Sequence, residues 1–431
     1  MVDDANLSTV PVPHDISGNR TEKVWGKSLL GQPERLICLA MVVFSTGFFL
    51  LHAVHFYLDL DFASNGIGNS HSIDFFVFYS SARYLWDGGA AWDLYNSGLL
   101  KAFQVSLGAA EKGLHPFNYP PTYLFIIWPL GGLPFPIALI AWQFLTLTLF
   151  AFCLRIAGLR PFEVFAVMVA PVMLLNLAGG QNGFLTSALL IAGLALLTRH
   201  GIGAGVLFGF LTFKPHLGLL VPVVCLAERR WPAIIAAICV ATAMVGASIL
   251  VFGSASWTAY FDFLIEFQER IRTQTGSKFL HYSATVLMAE QMIGLPSALA
   301  RAVQIVISVG TSLTVYWAYR QTGHITLRLA LLLIGVSLAT PFGFLYDLPF
   351  MAVAVILVVR LGLRSGFLPF EIPCLVAVWL VPFVSFTTAT WGFPLAPWVH
   401  LTFFCFVLVR LRQDRRQPSP APDPRYRMAA A

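Results

Sequence analysis

Charge is what this chain has least of. Lys, Arg, Asp and Glu make up 11% of its 431 residues, against about 25% in an ordinary soluble domain. A polar surface large enough for a water-soluble globule of this size is therefore excluded. Cysteine is sparse too. The six cysteines (Cys38, Cys153, Cys225, Cys239, Cys374 and Cys405) lie in or at the edges of apolar runs, and none forms a CxxC pair. They read as small apolar packers, not as metal ligands or a disulfide framework. There is no P-loop and no Rossmann fingerprint, which argues against a soluble nucleotide as substrate. No short basic leader precedes a small-residue cleavage site, so the first apolar run reads as an anchor and not as a removed signal. Paired internal repeats, the mark of many transporters, are also missing.

What is present is apolar residues, 57% of the chain. They come in runs: 36–57, 136–154, 163–178, 184–198, 202–213, 217–227, 232–252, 302–319, 326–342, 348–359, 367–387 and 395–409. The longer ones suit a hydrocarbon core about 30 Å thick. The shorter ones, broken by Pro or Gly, suit helices lining a cavity inside the protein. The expected fold class is an all-α polytopic membrane protein with about 11–13 transmembrane helices.

The formal net charge is +6. Its basic residues cluster beside apolar runs (Arg229 and Arg230, Arg360 and Arg364, then Arg410, Arg412, Arg415 and Arg416), which is the pattern that orients helices with these ends in the cytoplasm. Nucleic acid is not the expected partner; membrane lipid is. The resulting division is a cytoplasmic N-terminal segment at 1–34, a transmembrane domain at 35–410, and a cytoplasmic tail at 411–431, Pro- and Arg-rich and expected to be disordered. Outer loops are expected at about 58–120 and 253–280. The second alternates aromatics and acids at helical spacing, as in an interfacial helix. The segments 121–133 and 281–300 are each readable as a half-helix or as a full crossing. The sequence does not fix the oligomeric state.

The chemistry concentrates at the expected outer face. Asp74 begins the stretch Asp74-Phe-Phe-Val-Phe-Tyr79-Ser-Ser-Ala-Arg83, read as a helix resting against the membrane surface. A carboxylate beside hydrocarbon is costly and marks a candidate site. Asp74 could act as a general base on an acceptor hydroxyl within about 3 Å, or simply cap its helix, although Ser72 could do that. Asp59 and Asp61 could bind a divalent cation or form a polar end to the first crossing. Gly179-Gly180-Gln181-Asn182-Gly183 is either a tight turn or a site where glycines let backbone approach a substrate and Gln181 and Asn182 supply hydrogen bonds. In Phe213-Lys214-Pro215-His216, Lys214 could meet a lipid phosphate or snorkel to the headgroups, and His216 could share the phosphate. Asp347, in Tyr346-Asp347-Leu348, could bind sugar hydroxyls, pair with Lys214, or be a plain boundary residue. His281, in His281-Tyr282-Ser283, could re-enter the cavity.

These motifs, together with Asn118-Tyr119-Pro120-Pro121, resemble glycosyltransferase family 87 in their order and spacing over roughly 36–350. The resemblance implies the GT-C glycosyltransferase fold and an inverting transfer of a sugar, mannose or another hexose, from a polyprenyl-phosphate-linked donor to a glycan or glycolipid acceptor. It places the protein in a bacterial cytoplasmic (inner) membrane with the site facing the periplasm or exterior. It implies Asp74 as catalytic base and Lys214 at the donor phosphate, with His216 and Arg83 as further phosphate candidates. Tyr79, Asn118, Tyr119, Gln181, Asn182, His281, Tyr346 and Asp347 are the sugar or acceptor candidates. The family often has Gln after Lys-Pro where this chain has His216. No cofactor is required by such a scheme, although a divalent cation is permitted. The rival class is a membrane transporter or flippase for a lipid-linked or polar solute.

Overall fold

The computed structural model describes residues 33–58, 73–109, 116–273, 281–321 and 324–414. Asp59, Asp61, Ser72, Arg415 and Arg416 lie outside them. The described residues are all-α apart from one isolated bridge between Ser283 and Phe344. The helices, in chain order, are α1 (Pro33–Leu58), α2 (Ile73–Trp86), α3 (Ser97–Ser106), α4 (Leu124–Ile127), α5 (Phe135–Ile156), α6 (Pro161–Met168), α7 (Pro171–Gly179), α8 (Gly183–Leu196), α9 (Gly201–Phe210), α10 (Val221–Ala227), α11 (Trp231–Phe252), α12 (Ser254–Thr273), α13 (Val286–Met292), α14 (Ser297–Gln321), α15 (Ile325–Ala339), α16 (Pro349–Ser365), α17 (Glu371–Thr390) and α18 (Ala396–Asp414).

Five of these, α1, α5, α11, α14 and α17, are long and apolar enough to cross a bilayer singly, and the bent pair α6–α7 makes a sixth if it counts as one span. Several long apolar helices are what a polytopic membrane protein requires. The sequence runs suggest 11–13 crossings; among the described residues the other runs form helices that are broken, short or less apolar. The run 163–178 is split near Ala170-Pro171, with a 56° bend between α6 and α7, because Pro171 has no N–H to continue the ladder. The runs 202–213 and 217–227 are interrupted at Lys214-Pro215 by two short 3-10 turns, Leu211–Phe213 and Pro215–Gly218. Neither ambiguous segment is a full crossing. Residues 121–132 form a 3-10 turn, one turn of α-helix and another 3-10 turn, and 286–292 is the seven-residue α13.

Two hydrophobic clusters organise the molecule. The larger gathers around α15 and α16, whose residues 330–339 and 349–358 are buried without a break. A helix apolar and buried all round belongs to the centre of a large protein. The second is aromatic. It joins Phe75, Phe78, Leu94, Tyr95, Phe117, Tyr123, Ile127, Phe135, Trp142, Phe213, Phe252 and Phe263. Here α2 differs from expectation: residues 75–82 are all buried, so the helix is enclosed by the first loop, the start of α5 and the Trp128–Gly132 turn. Eight consecutive apolar or small residues leave it no polar face to turn outward.

The charged residues at the far ends of the central helices are paired. Arg360, near the end of α16, donates to Glu163 at the start of α6, at 2.7 Å from its Nε. Arg328, at the start of α15, meets Glu228 at 3.0 Å. Arg410 of α18 grips Glu371 at the start of α17 and also donates to the Gly366 carbonyl at 2.9 Å. These pairs fasten one end of the bundle. The other end is where α7, α15 and α16 meet the functional segments.

Candidate functional site

The site lies at the seam between the two clusters, built from four separate stretches of chain. The first is the start of α2. Asp74 is in its first turn, where unsatisfied backbone N–H groups favour a carboxylate. The second is the α7–α8 turn. Gly180 has φ +60, a left-handed conformation that a side chain disfavours, and a Cβ there would stand 2.5 Å from the Phe75 Cβ. The turn is therefore pressed directly onto α2 beside Asp74. A Cβ on Gly179 would stand 3.2 Å from Asp74 Oδ2 and 3.3 Å from Gln181 Cγ, and one on Gly183 would collide with the Tyr346 carbonyl oxygen at 2.2 Å. These glycines bring the turn up against the protein's own neighbouring segments. Trp142 Nε1 donates to the Gly180 carbonyl at 3.0 Å and Gln143 Nε2 to that of Leu177 at 2.6 Å, locking the turn to α5. Gln143 in turn accepts from the Tyr57 hydroxyl at 2.7 Å, tying in α1.

We expect Gly180→Ala to lower the thermal midpoint in detergent by several degrees. The left-handed backbone costs about 1–2 kcal/mol with a Cβ, and the collision with Phe75 adds about 1–3 kcal/mol of overpacking. Gly88→Ala has the same sign of φ but open space around it and serves as the control for the backbone cost alone.

The third stretch is the break between α9 and α10. Lys214, 5% exposed, forms an ion pair with Asp347, 1% exposed, which belongs to the fourth stretch, the 3-10 turn Leu345–Asp347. Asp347 Oδ2 also accepts from the Phe344 N–H at 3.2 Å. The ammonium sits between two rings, 5.6 Å from the centroid of Tyr119 and 6.0 Å from that of Tyr346, within range of cation–π attraction. Asn176 Nδ2 donates to the Tyr346 carbonyl at 2.7 Å and holds this turn against α7.

The two halves are joined through Gln181. Its side chain lies beside the Asp74 carboxylate, and its Oε1 accepts from the Tyr119 hydroxyl at 3.5 Å. Burial raises the Asp74 carboxyl above the ordinary carboxylate range; the neighbouring Gln181 amide and the charge of Lys214 pull the other way, and Asp347 adds to the rise. The group therefore takes up its proton at a higher pH than an exposed aspartate would.

Of the residues singled out from sequence, Asp74, Tyr119, Gln181, Lys214, Tyr346 and Asp347 come together. Asn182, fully buried, lies beside the hydroxyls of Tyr119 and Tyr123. His216 is partly exposed and within electrostatic reach of Lys214 and Asp347. Asn118 is next to Tyr119, with a buried Oδ1 that has no partner among the described residues. The 281–285 segment does fold back: Ala284 N–H donates to the Gly343 carbonyl at 3.0 Å. It brings Tyr282 within electrostatic reach of Asp74, while the His281 ring packs at 5.8 Å on Phe386.

Arg83 and Tyr79 are placed elsewhere. Arg83 is nine residues along α2 from Asp74, about 13 Å at helical rise. It is bound to Asp87 at 2.8 and 3.0 Å and to the Gly131 carbonyl at 3.4 Å. Tyr79 donates to the Leu133 carbonyl at 3.1 Å, its ring 5.2 Å from Phe135. Their side chains brace α2 against the loop that covers it. Sequence reasoning missed Asn176, Trp142 and Tyr123 as supports. A lone amide such as Asn176 in an apolar helix was the available signal. Among the described residues no group of three or more His, Cys, Asp or Glu is arranged to hold a metal ion.

The family model for glycosyltransferase family 87 matches residues 117–341, just over half of the chain. The match takes in Tyr119, Gln181 and Lys214, with Asp74 upstream of it and Asp347 just beyond. No curated protein and no solved structure matches the chain.

Proposed function

Because the chain belongs to glycosyltransferase family 87, we propose that it transfers a sugar, mannose or another hexose, from a polyprenyl-phosphate donor to a glycan or glycolipid acceptor at the outer face of a bacterial cytoplasmic membrane. The observation that carries this reading is the meeting of Asp74 with the Lys214–Asp347 pair at one end of the helix bundle. A base and a cation within electrostatic reach of each other are what the reaction needs. Asp74 accepts the proton of the acceptor hydroxyl. The freed oxygen forms a bond to the anomeric carbon as the bond from that carbon to the phosphate oxygen breaks. The bonding pair leaves with the polyprenyl phosphate, and the centre inverts. A single carboxylate suffices because phosphate is already a good leaving group, whereas a retaining glycosidase uses two carboxylates about 5 Å apart. Lys214 offsets the charge growing on the departing oxygen. The raised proton affinity of Asp74 brings the base closer to working pH, where general-base catalysis is most efficient. Tyr119 and Tyr346 supply ring faces for a sugar. No step is routed through a metal.

The test is reconstitution. Purified protein in proteoliposomes, given synthetic polyprenyl-phosphate mannose and glucose and a glycolipid acceptor extract, should form a new glycoside from at least one donor. Movement of the donor between leaflets with no glycoside formed would favour the flippase reading instead. Orientation has its own check. Ala102→Cys, exposed on α3 in the first loop, should react in intact cells with a membrane-impermeant maleimide. Reaction only after the membrane is opened would place the site on the cytosolic side and sink the proposal.

A further inference from the structure

At the end of the bundle opposite the candidate site, arginines from three elements gather around a single carboxylate. Glu228 follows α10. Arg328, at the start of α15, meets its Oε1 at 3.0 Å and lies over the Tyr319 ring at 4.8 Å. Arg230 Nε stands 3.5 Å from Glu228 Oε2, with no hydrogen bond between them. Arg320, in the last turn of α14, donates to the carbonyl of Ala227, the residue before Glu228, at 3.1 Å. Arg229 is exposed beside them. One negative charge cannot balance these four arginines. Donors are in excess as well: the Nε groups of Arg230 and Arg328 are buried with no hydrogen-bond partner among the described residues.

The backbone favours a different residue here. Arg229 N–H donates to the Leu226 carbonyl at 3.2 Å and Arg230 N–H to that of Cys225 at 2.8 Å, which closes α10 in a Schellman turn. Arg229 takes the left-handed position of that turn, at φ +56, where glycine is unstrained and a Cβ is not. The corner also faces lipid. Most of α11 and of α14 is apolar and unburied. Trp231, 55% exposed, follows Arg230, and Tyr316, 43% exposed, stands one turn into α14 from Arg320. Rings of this kind sit at headgroup level.

We propose that this corner binds the phosphate headgroup of an anionic phospholipid in the leaflet opposite the candidate site, with Arg229, Arg230 and Arg320 on the phosphate and Trp231 and Tyr316 beside the glycerol and first methylenes. It does not depend on the reaction at the other end. Planar guanidinium groups match phosphate geometry, and an anion offsets their mutual repulsion. A zwitterionic headgroup brings its own cation into the cluster. A soluble anion gains nothing from the apolar rim.

The experiment is a titration of the thermal midpoint of the detergent-purified full chain with dioctanoyl phosphatidylglycerol, dioctanoyl phosphatidylcholine or inorganic phosphate, since a ligand that binds only the folded state raises the midpoint. Phosphatidylglycerol should raise it at concentrations where the other two do not. Each arginine near a headgroup is worth about five-fold in affinity, so the Arg230→Gln/Arg320→Gln double variant should bind phosphatidylglycerol about twenty- to thirty-fold more weakly. Arg364→Gln, an exposed arginine in the last turn of α16, should bind as the wild type does. If the double variant does not fold, Arg229→Gln carries the test with a loss of about five-fold. Unchanged phosphatidylglycerol affinity in the variants that fold overturns the proposal, as does an equal loss in Arg364→Gln or an equal response to phosphatidylcholine. A response to inorganic phosphate as large as that to phosphatidylglycerol overturns it too, because the site would then serve a soluble anion.

Discussion

Asp74→Asn is expected to lower the rate of sugar transfer by about a hundred- to ten-thousand-fold, the range that a positioned general base supplies, with the protein still folded. The amide matches the carboxyl in shape and cannot take the proton. Stability should move the other way. Burial raises the folded-state proton affinity of Asp74, so the group contributes stability when protonated, fully below its unfolded pKa, and loses it as pH rises through the raised folded value. At neutral pH the ionised group therefore weighs against folding, and Asn removes that burden. The thermal midpoint of Asp74→Asn at pH 7 should equal or exceed the wild type, and the gap should narrow on acidification. The same shift sets the acid limb of kcat against pH above the range of an exposed aspartate. A variant with full activity, or one that is inactive only because it unfolds, would remove Asp74 from the mechanism.

The second large effect concerns Lys214 and Asp347. Removing either one leaves the other charge buried and alone, which costs about 3–5 kcal/mol. Lys214→Met and Asp347→Leu are each expected to lower the thermal midpoint strongly. The double variant should recover most of the loss, because an apolar pair of similar volume is often no worse than a buried ion pair. Function separates from stability at this point. The double variant keeps the fold but has no ammonium, so polyprenyl phosphate should bind it poorly, while Asp74 remains in place. Thermal unfolding with and without polyprenyl phosphate measures both quantities at once, since a ligand that binds only the folded state raises its midpoint. Equal ligand-induced shifts in wild type and double variant would show that Lys214 does not hold the phosphate.

Much of the architecture is legible in the sequence because apolar runs and bilayer thickness constrain each other. The helices α1, α5, α11 and α17 follow their runs within a few residues. What hydropathy cannot show is where a run bends. Pro171 and Pro215 each sit within an apolar stretch, and only packing decides whether the chain continues or turns. The enclosure of α2 was available in principle: Phe75 to Ala82 has no polar face, which fits burial better than an interface. At the site, chain order alone left Asp347 with three roles, and burial beside Lys214 selects the ion pair. Arg83 illustrates the opposite case. Its charge suggested phosphate, but Asp87 at i+4 was the nearer claimant. The approach of Gln181, in the α7–α8 turn, to Asp74 on α2 leaves no mark in local sequence.

Under the proposed reaction, the Lys214–Asp347 pair has a consequence for turnover. A polyprenyl phosphate that has just lost its sugar is a monoester and carries up to one more negative charge than the diester donor. With that donor, a solitary ammonium would hold the spent carrier more tightly than the fresh one. On that reading, the ion pair with Asp347 gives Lys214 a resting partner once the carrier has left.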